Sequence, residues 1–126
     1  SSTKRLIAHT NKLESVTYTI TPRFVLSCTD ELMSELGALA KEHQLPIHSH
    51  LCENKAEIAA VLDRYPETKS YAHVYEKFGL LNHKTVMAHC IHMTDDELEL
   101  LKQCDAFIAH CPTSNLNLRS GVAPIK

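Results

Sequence analysis

The sequence lacks several features that would place it in other protein classes. It contains no tryptophan, only three glycines, and no Cys-x-x-Cys pair among its five cysteines. An odd number of cysteines without such pairs argues against a disulfide framework or a zinc-finger module and favours a reducing, cytoplasmic setting. The formal net charge is −2. There is therefore no basic field that would attract nucleic acid or an anionic membrane.

Long apolar runs are missing as well. No stretch approaches the roughly 18–20 residues that a membrane-spanning helix needs, and the N-terminus lacks the charged-then-apolar pattern of a signal peptide. The chain of 126 residues is 44% hydrophobic and 22% charged, which is ordinary for one soluble globular domain. We therefore expect a cytoplasmic protein that binds neither nucleic acid nor membranes. What stands out instead is histidine, with nine residues.

Strands and helices are expected to alternate along the chain. Runs rich in β-branched and apolar residues predict strands, and apolar residues at helical spacing predict helices between them. Thr29 or Asp30 can cap one helix and Thr94 another, and Glu97 completes a capping box with Thr94. The predicted strands are residues 16–24, 46–51, 85–89 and 106–110, with a loop after the last, and the helices begin near residues 30, 53, 70 and 95.

This alternation is typical of an α/β protein with a parallel sheet and right-handed crossovers. Histidines end successive predicted strands, at His50, His89 and His110, and this strand end is the functional face of a (β/α)8 barrel. A flavodoxin-like open sheet fits the alternation too, but it does not explain the histidines, and no glycine-rich phosphate loop is present. The prediction is about four βα units of a (β/α)8 TIM barrel. Because a complete barrel takes roughly 250 residues, residues 1–126 are expected to be an internal part of a longer protein.

The first candidate site residues lie on and just after the second predicted strand. His48 and His50 are two residues apart, so both side chains point to the same face. Such a pair can chelate zinc, and the alternative is that one or both are ordinary polar residues near a strand end. Glu53 follows the strand end, where a carboxylate can act as general acid/base on an activated water. It can also complement a helix dipole, and the two roles are compatible.

Three further residues, His89, His110 and Arg23, are candidates for a functional role. His89 ends an apolar strand, and its neighbours at adjacent strand ends favour a catalytic role over a structural one. For His110 a structural role is favoured, because Cys111-Pro112 turns the chain at once. Arg23 follows a proline at a predicted strand end, where its planar guanidinium suits acceptor atoms on a substrate edge. The alternative for Arg23 is a surface salt bridge.

In their residues and in their order along the chain, several segments resemble the guanine deaminases of the amidohydrolase superfamily. The His-x-x-Glu and Ala-His elements are shared with relatives that deaminate adenosine derivatives or hydrolyse chlorotriazines, so the Thr-Pro-Arg-Phe segment is what points to guanine. The similar segments are residues 21–24, 49–54, 65–66, 71–75, 85–89 and 110–115.

The resemblance implies a role for each of these residues. The predicted strands become the fourth to seventh of an amidohydrolase barrel, and His50 becomes the zinc ligand of the fifth. Glu53 then shuttles protons from the activated water to the purine, and His89 polarises that water. Arg23 and Phe24 hold the purine, together with His50 and Glu53. His48 matches a position where such enzymes do not require histidine, so it is left out of the metal site.

The resemblance also implies the reaction and its cofactor. Zinc-activated water would convert guanine to xanthine and ammonia, a step of guanine catabolism, and iron fits the same ligands. The small purine would be the partner of a full-length protein that is implied to be a homodimer. The first-strand His-x-His and the eighth-strand aspartate, which supply the other ligands, have no counterpart in this chain, so it is expected to be inactive by itself.

Three alternatives stay open at this point. One is a related amidohydrolase that acts on another aminated heterocycle, such as an adenosine-derivative deaminase or a triazine hydrolase. Another is a non-catalytic truncated form that acts by association through exposed strand edges. The third is a small autonomous metal site formed by His48, His50 and His89, which needs more assumptions than the barrel pattern does.

Overall fold

A computed structural model describes residues 2–124 of the chain. Within these residues, helices and three short strands alternate, and a 3-10 turn at Val25–Ser27 precedes the second helix. The elements are α1 (Ser2–Thr10), α2 (Asp30–His43), β1 (Ile47–Leu51), α3 (Lys55–Arg64), α4 (Tyr71–Lys77), β2 (Thr85–His89), α5 (Asp95–Gln103), β3 (Phe107–Ala109) and α6 (Pro112–Asn117).

The three strands form one parallel sheet in the order β1-β2-β3. Ile47 pairs with Thr85 and Leu51 pairs with His89, so the last residues of β1 and β2 lie side by side. Helices connect the strands, as parallel pairing requires. The α/β class with a parallel sheet is confirmed. None of the helices in residues 2–124 is long and apolar enough to cross a membrane.

The first predicted strand, residues 16–24, differs from the structure. Its alternating pattern is present, but only Ile20 forms a β-bridge, to Ile47 of β1. The Ile20 amide donates to the Pro46 carbonyl and the His48 amide donates to the Ile20 carbonyl. Pro22, two residues later, has no N–H with which to continue the ladder. Residues 16–24 therefore lie beside β1 as an irregular segment with a single bridge.

The helices begin at their capping residues, and three of them differ from the prediction. Of the two candidates for the cap of α2, Thr29 is the N-cap and Asp30 is the first helical residue, and Thr94 is the N-cap of α5, as predicted. Helix α3 begins at Lys55 rather than at Glu53, because the Asn54 side chain accepts from the Glu57 amide at 2.8 Å and caps the helix. The predicted loop after β3 contains α6 instead, which has a proline in its first turn, where a missing N–H is tolerated. Helix α1 has no counterpart among the predicted helices either.

Alternation along β1 separates the core from the functional face. Ile47, Ser49 and Leu51 are buried, while His48 and His50 are partly exposed on the opposite face. The hydroxyl of the buried Tyr75 donates to the His50 carbonyl and contacts the Ser49 hydroxyl, both at 2.8 Å. A helix side chain thus anchors the strand that carries His50.

The buried tyrosines make the fold sensitive to alkaline pH. Burial and the hydrogen bond to Asp30 raise the pKa of Tyr65 to about 12, and burial raises the pKa of Tyr71 and Tyr75 as well. The unfolded chain ionises near pH 10. The stabilising contribution of each tyrosine is therefore complete below about pH 10 and is lost as pH rises through the folded-state pKa.

We expect the free energy of unfolding to fall above about pH 10, by up to about 1.4 kcal/mol per pH unit for each of these tyrosines. Denaturant unfolding of the complete polypeptide in which this chain occurs, repeated across this range, measures the slope. Tyr65→Phe keeps the ring and removes one titrating group, so its slope should be smaller. A stability that is constant through this range would contradict the prediction.

Candidate active site

A cavity of about 330 Å³ lies at the carboxyl ends of β1 and β2, at the lower end of the range for small-molecule sites. All five residues predicted for the site line it: Arg23, Phe24, His50, Glu53 and His89. The remaining lining residues are Leu26, Asn54, Glu57, Ser114 and Leu118.

A backbone carbonyl sets the orientation of the His50 ring. Its Nδ1 lies 2.6 Å from the carbonyl oxygen of Arg23. A carbonyl oxygen only accepts hydrogen bonds, so Nδ1 carries a proton, and in the neutral ring Nε2 keeps a free lone pair. This is the arrangement in which a histidine that binds a metal is held by its other ring nitrogen. His50 therefore fits the role of a metal ligand.

The other histidines near β1 form a cluster of imidazole rings with His50, but this cluster does not surround a metal site. The rings of His50 and His89 stack with centroids 5.3 Å apart, and the His48 ring lies 5.8 Å from that of His50. Partial burial lowers the pKa of His48, and the two neighbouring imidazoles lower it further. Among residues 2–124, no group of three or more His, Cys, Asp and Glu side chains is arranged to hold a metal ion. The described residues thus offer a single well-oriented ligand.

Glu53 is held beside His89. One carboxylate oxygen lies 3.7 Å from His89 Nε2, with the side chains only 18% and 7% exposed. The other oxygen accepts a hydrogen bond from the Ser120 hydroxyl at 3.3 Å. Glu53 precedes the N-cap of α3, and the acidic residue in the first turn of that helix is Glu57. Stabilisation of the helix dipole therefore does not explain why position 53 is a glutamate.

The backbone is strained at the carboxyl ends of β1 and β2, next to the residues of the cavity. Cys52 has φ 51°, His89 has φ 73° and Cys90 has φ 49°, a left-handed conformation that costs a residue with a Cβ roughly 1–2 kcal/mol. The Cys90 amide donates to the Leu51 carbonyl at 2.9 Å and the Ile91 amide donates to the Cys52 carbonyl at 3.1 Å. These bonds tie the two strand ends together. Backbone strain that is held by surrounding hydrogen bonds is common at functional sites.

Arg23 and Phe24 border the cavity from the segment before the 3-10 turn. The Arg23 guanidinium carbon lies 5.6 Å from the centroid of the Phe24 ring, within cation–π range. The Ser49 hydroxyl donates to the Pro22 carbonyl at 2.8 Å and holds this segment against β1. Within residues 2–124, no carboxylate forms an ion pair with Arg23, so the structure gives no support to the surface salt bridge.

Sequence reasoning missed two residues that contact the predicted ones. Ser120 donates to Glu53, and Asn115 is 1% exposed, with Oδ1 2.7 Å from His89 Nδ1. Both follow β3, where a loop had been predicted. The only signal was that residues 110–115 belong to the segments of resemblance. His110 itself is exposed and does not line this cavity.

The profile described as the amidohydrolase family matches residues 3–126. This chain belongs to the amidohydrolase family. The guanine deaminase of Dictyostelium discoideum, an amidohydrolase relative, is 51% identical over 117 residues, which are 93% of this chain and 26% of that protein. The chain spans about a quarter of the length of the curated relatives it matches.

Solved amidohydrolase structures share the fold. A guanine deaminase from C. acetobutylicum, solved with guanine in its active site, matches with a TM-score of 0.93 and 45% identity. The match covers 97% of this chain and 30% of that one. A zinc-bound adenosine deaminase from Xanthomonas campestris matches with a TM-score of 0.89 at 24% identity, over 98% of this chain and 28% of that one. The chain thus has the fold of part of an amidohydrolase TIM barrel, as predicted.

Proposed function

We propose that this chain forms part of the active site of a guanine deaminase, which hydrolyses guanine to xanthine and ammonia. The observation that carries the proposal is that Arg23, Phe24, His50, Glu53 and His89 line one cavity. The similarity to guanine deaminases over nearly the whole chain supports guanine as the substrate. The bound guanine in the C. acetobutylicum relative supports it further.

The reaction is a hydrolysis without redox change. The oxygen of water bonds to the purine carbon that bears the exocyclic amine, the bond from that carbon to the amine breaks, and ammonia leaves. Glu53 takes one proton from the attacking water and gives it to the ring nitrogen. It then takes the second proton from the same oxygen, which becomes the carbonyl of xanthine, and gives it to the departing amine, which leaves as ammonia. His89, whose Nε2 lies 3.7 Å from the Glu53 carboxylate, accepts a hydrogen bond from the same water.

His50 is the residue of this chain that would hold the metal, through the Nε2 left free by the bond from Nδ1 to the Arg23 carbonyl. A bound zinc ion supplies Lewis acidity that activates water near neutral pH. The zinc in the adenosine deaminase of the same fold supports zinc over iron. The remaining ligands are proposed to be the first-strand histidines and the eighth-strand aspartate of the barrel.

Arg23 and Phe24 are proposed to bind the purine. Guanine presents O6 and N7 as acceptors, and the guanidinium of Arg23 offers donors in a matching planar fork. Phe24 packs on the ring. A site built on such hydrogen bonds discriminates strongly against analogues that lack the acceptors.

Replacing Arg23 tests this proposal. Arg23→Met should lower kcat/KM for guanine at least ~100-fold, mostly through KM, because a methionine fills similar space without donors. Ammonia release from guanine by the zinc-supplemented complete polypeptide is the assay, and Arg119→Met, at an exposed arginine outside the cavity, is the matched control. Turnover of an adenosine derivative or a chlorotriazine, with none of guanine in the unaltered protein, would favour the related amidohydrolase instead.

The setting of the enzyme is part of the proposal. All five cysteines are free, which supports a reducing, cytoplasmic environment. The small net charge of −2 supports a protein without nucleic-acid or membrane partners. The full-length protein is proposed to be a homodimer, which its mass in solution would test.

A further inference from the structure

Helix α6 buries one polar side chain that the proposed reaction does not use. Asn115 is 1% exposed, whereas its neighbours Leu116 and Asn117 are exposed. Its Nδ2 has no hydrogen-bond partner among the residues that the structure describes. A buried amide that is only half satisfied costs free energy, and leucine would fill the same space without that cost. Packing alone therefore does not explain an asparagine here.

The bond that Asn115 does make is to the proposed catalytic histidine. Its Oδ1 lies 2.7 Å from His89 Nδ1, and because an amide oxygen only accepts, Nδ1 must carry the proton. In the neutral ring the lone pair is then on Nε2, the nitrogen that faces Glu53 at 3.7 Å. The opposite amide orientation would leave the buried oxygen unpaired and put the proton on Nε2. The tautomer of His89 thus reports which arrangement exists.

The two imidazoles of the site are held in the same way. His50 donates from Nδ1 to the Arg23 carbonyl, and His89 donates from Nδ1 to Asn115. In both, Nε2 is left as the acceptor. The strained backbone of His89, with φ 73°, sets the direction in which its side chain leaves the backbone. The hydrogen bond to Asn115 sets the orientation of the ring.

We propose that Asn115 is a positioning residue, which holds His89 in the tautomer whose Nε2 lone pair is turned toward Glu53 and the cavity. The effect on turnover rests on the proposed function, but the effect on the tautomer does not. Asn115 acts through His89 and is not assigned any contact with the substrate.

The test is the 15N spectrum of histidine-labelled complete polypeptide, in which protonated and unprotonated ring nitrogens are resolved and the His89 signals are assigned with His89→Gln. We expect His89 to carry its proton on Nδ1 in the unaltered protein, in Asn115→Asp, which keeps the acceptor oxygen, and in the exposed control Asn117→Leu. Asn115→Leu should give a mixture of tautomers. Asn115→Ala makes the same comparison if the leucine variant does not fold.

Kinetics provide the second readout. Asn115→Leu should lower kcat for guanine by ~10–100-fold with KM little changed, as when a residue that orients a functional histidine is lost, and Asn115→Asp should recover part of the loss. A proton on Nε2 in the unaltered protein, or a tautomer that Asn115→Leu and Asn115→Ala leave unchanged, would overturn the inference. Absence of guanine turnover in the unaltered protein would overturn the proposed function and leave the tautomer result standing.

Discussion

Glu53→Gln is expected to lower guanine turnover by about 1,000-fold or more, the loss typical of a removed general acid/base. Glutamine keeps the shape of the side chain but can neither take a proton from water nor deliver one to the purine. Glu53 lines the cavity, and its two oxygens face His89 Nε2 and the Ser120 hydroxyl. The measurement is kcat and KM for ammonia release from guanine by the zinc-supplemented complete polypeptide.

Two companion variants make this result specific. Glu53→Asp keeps a carboxylate but withdraws it by one methylene, so we expect a smaller loss than with glutamine. Glu99→Gln changes a carboxylate that pairs with Lys102 on the surface of α5 and should leave turnover unchanged. If Glu53→Gln kept more than about a tenth of the activity, Glu53 would not be the proton carrier.

Gly37→Ala is expected to lower the free energy of unfolding by about 2–3 kcal/mol. This is the reverse of the usual helix preference, which favours alanine over glycine by roughly 0.5–1 kcal/mol. Gly37 is buried in α2, and a Cβ there would collide with the carbonyl oxygen of Phe78 and lie 3.1 Å from its carbonyl carbon. Because the obstacle is backbone at the end of α4, it has no rotamer by which to move away. The helices must separate.

Gly79→Ala is the matched control. At φ +68°, this glycine has nothing within 4 Å of the position of an added Cβ. Gly79→Ala should therefore lower the free energy of unfolding by only about 1 kcal/mol, through backbone strain. Denaturant unfolding of both variants of the complete polypeptide measures the difference, and equal losses would show that the close approach of α2 to α4 does not limit stability.

Sequence reasoning succeeded where the rules are local. The pattern Ile-His-Ser-His-Leu predicts a strand with one buried and one polar face, and β1 has that burial pattern. Thr94 and Glu97 predict a capping box, which the structure contains. Such features depend on residues within one turn or one strand, so neighbouring letters suffice to predict them.

It failed where an element depends on a distant partner. Residues 16–24 have the pattern of a strand, but only Ile20 forms a β-bridge, to Ile47. A segment becomes a strand only where its backbone stays beside a neighbouring strand along its length. Helix α6 is six residues long and begins at Pro112, where the sequence predicts a turn. Asn115 and Ser120 were overlooked for the same reason. Their importance lies in contacts with residues 26 and 67 positions away.

The sequence by itself determined the α/β order, the caps and the set of chemical groups from which a site can be built. These features depend on spacing, propensity and side-chain chemistry, which residues close together in the sequence set. Only the tertiary structure decided how those groups are arranged. It placed Arg23, Phe24, His50, Glu53 and His89 around one cavity, and it decided which nitrogen of each imidazole is free. The physical reason is that the bonds from Nδ1 go to residues 27 and 26 positions away, which only the packed fold brings within reach.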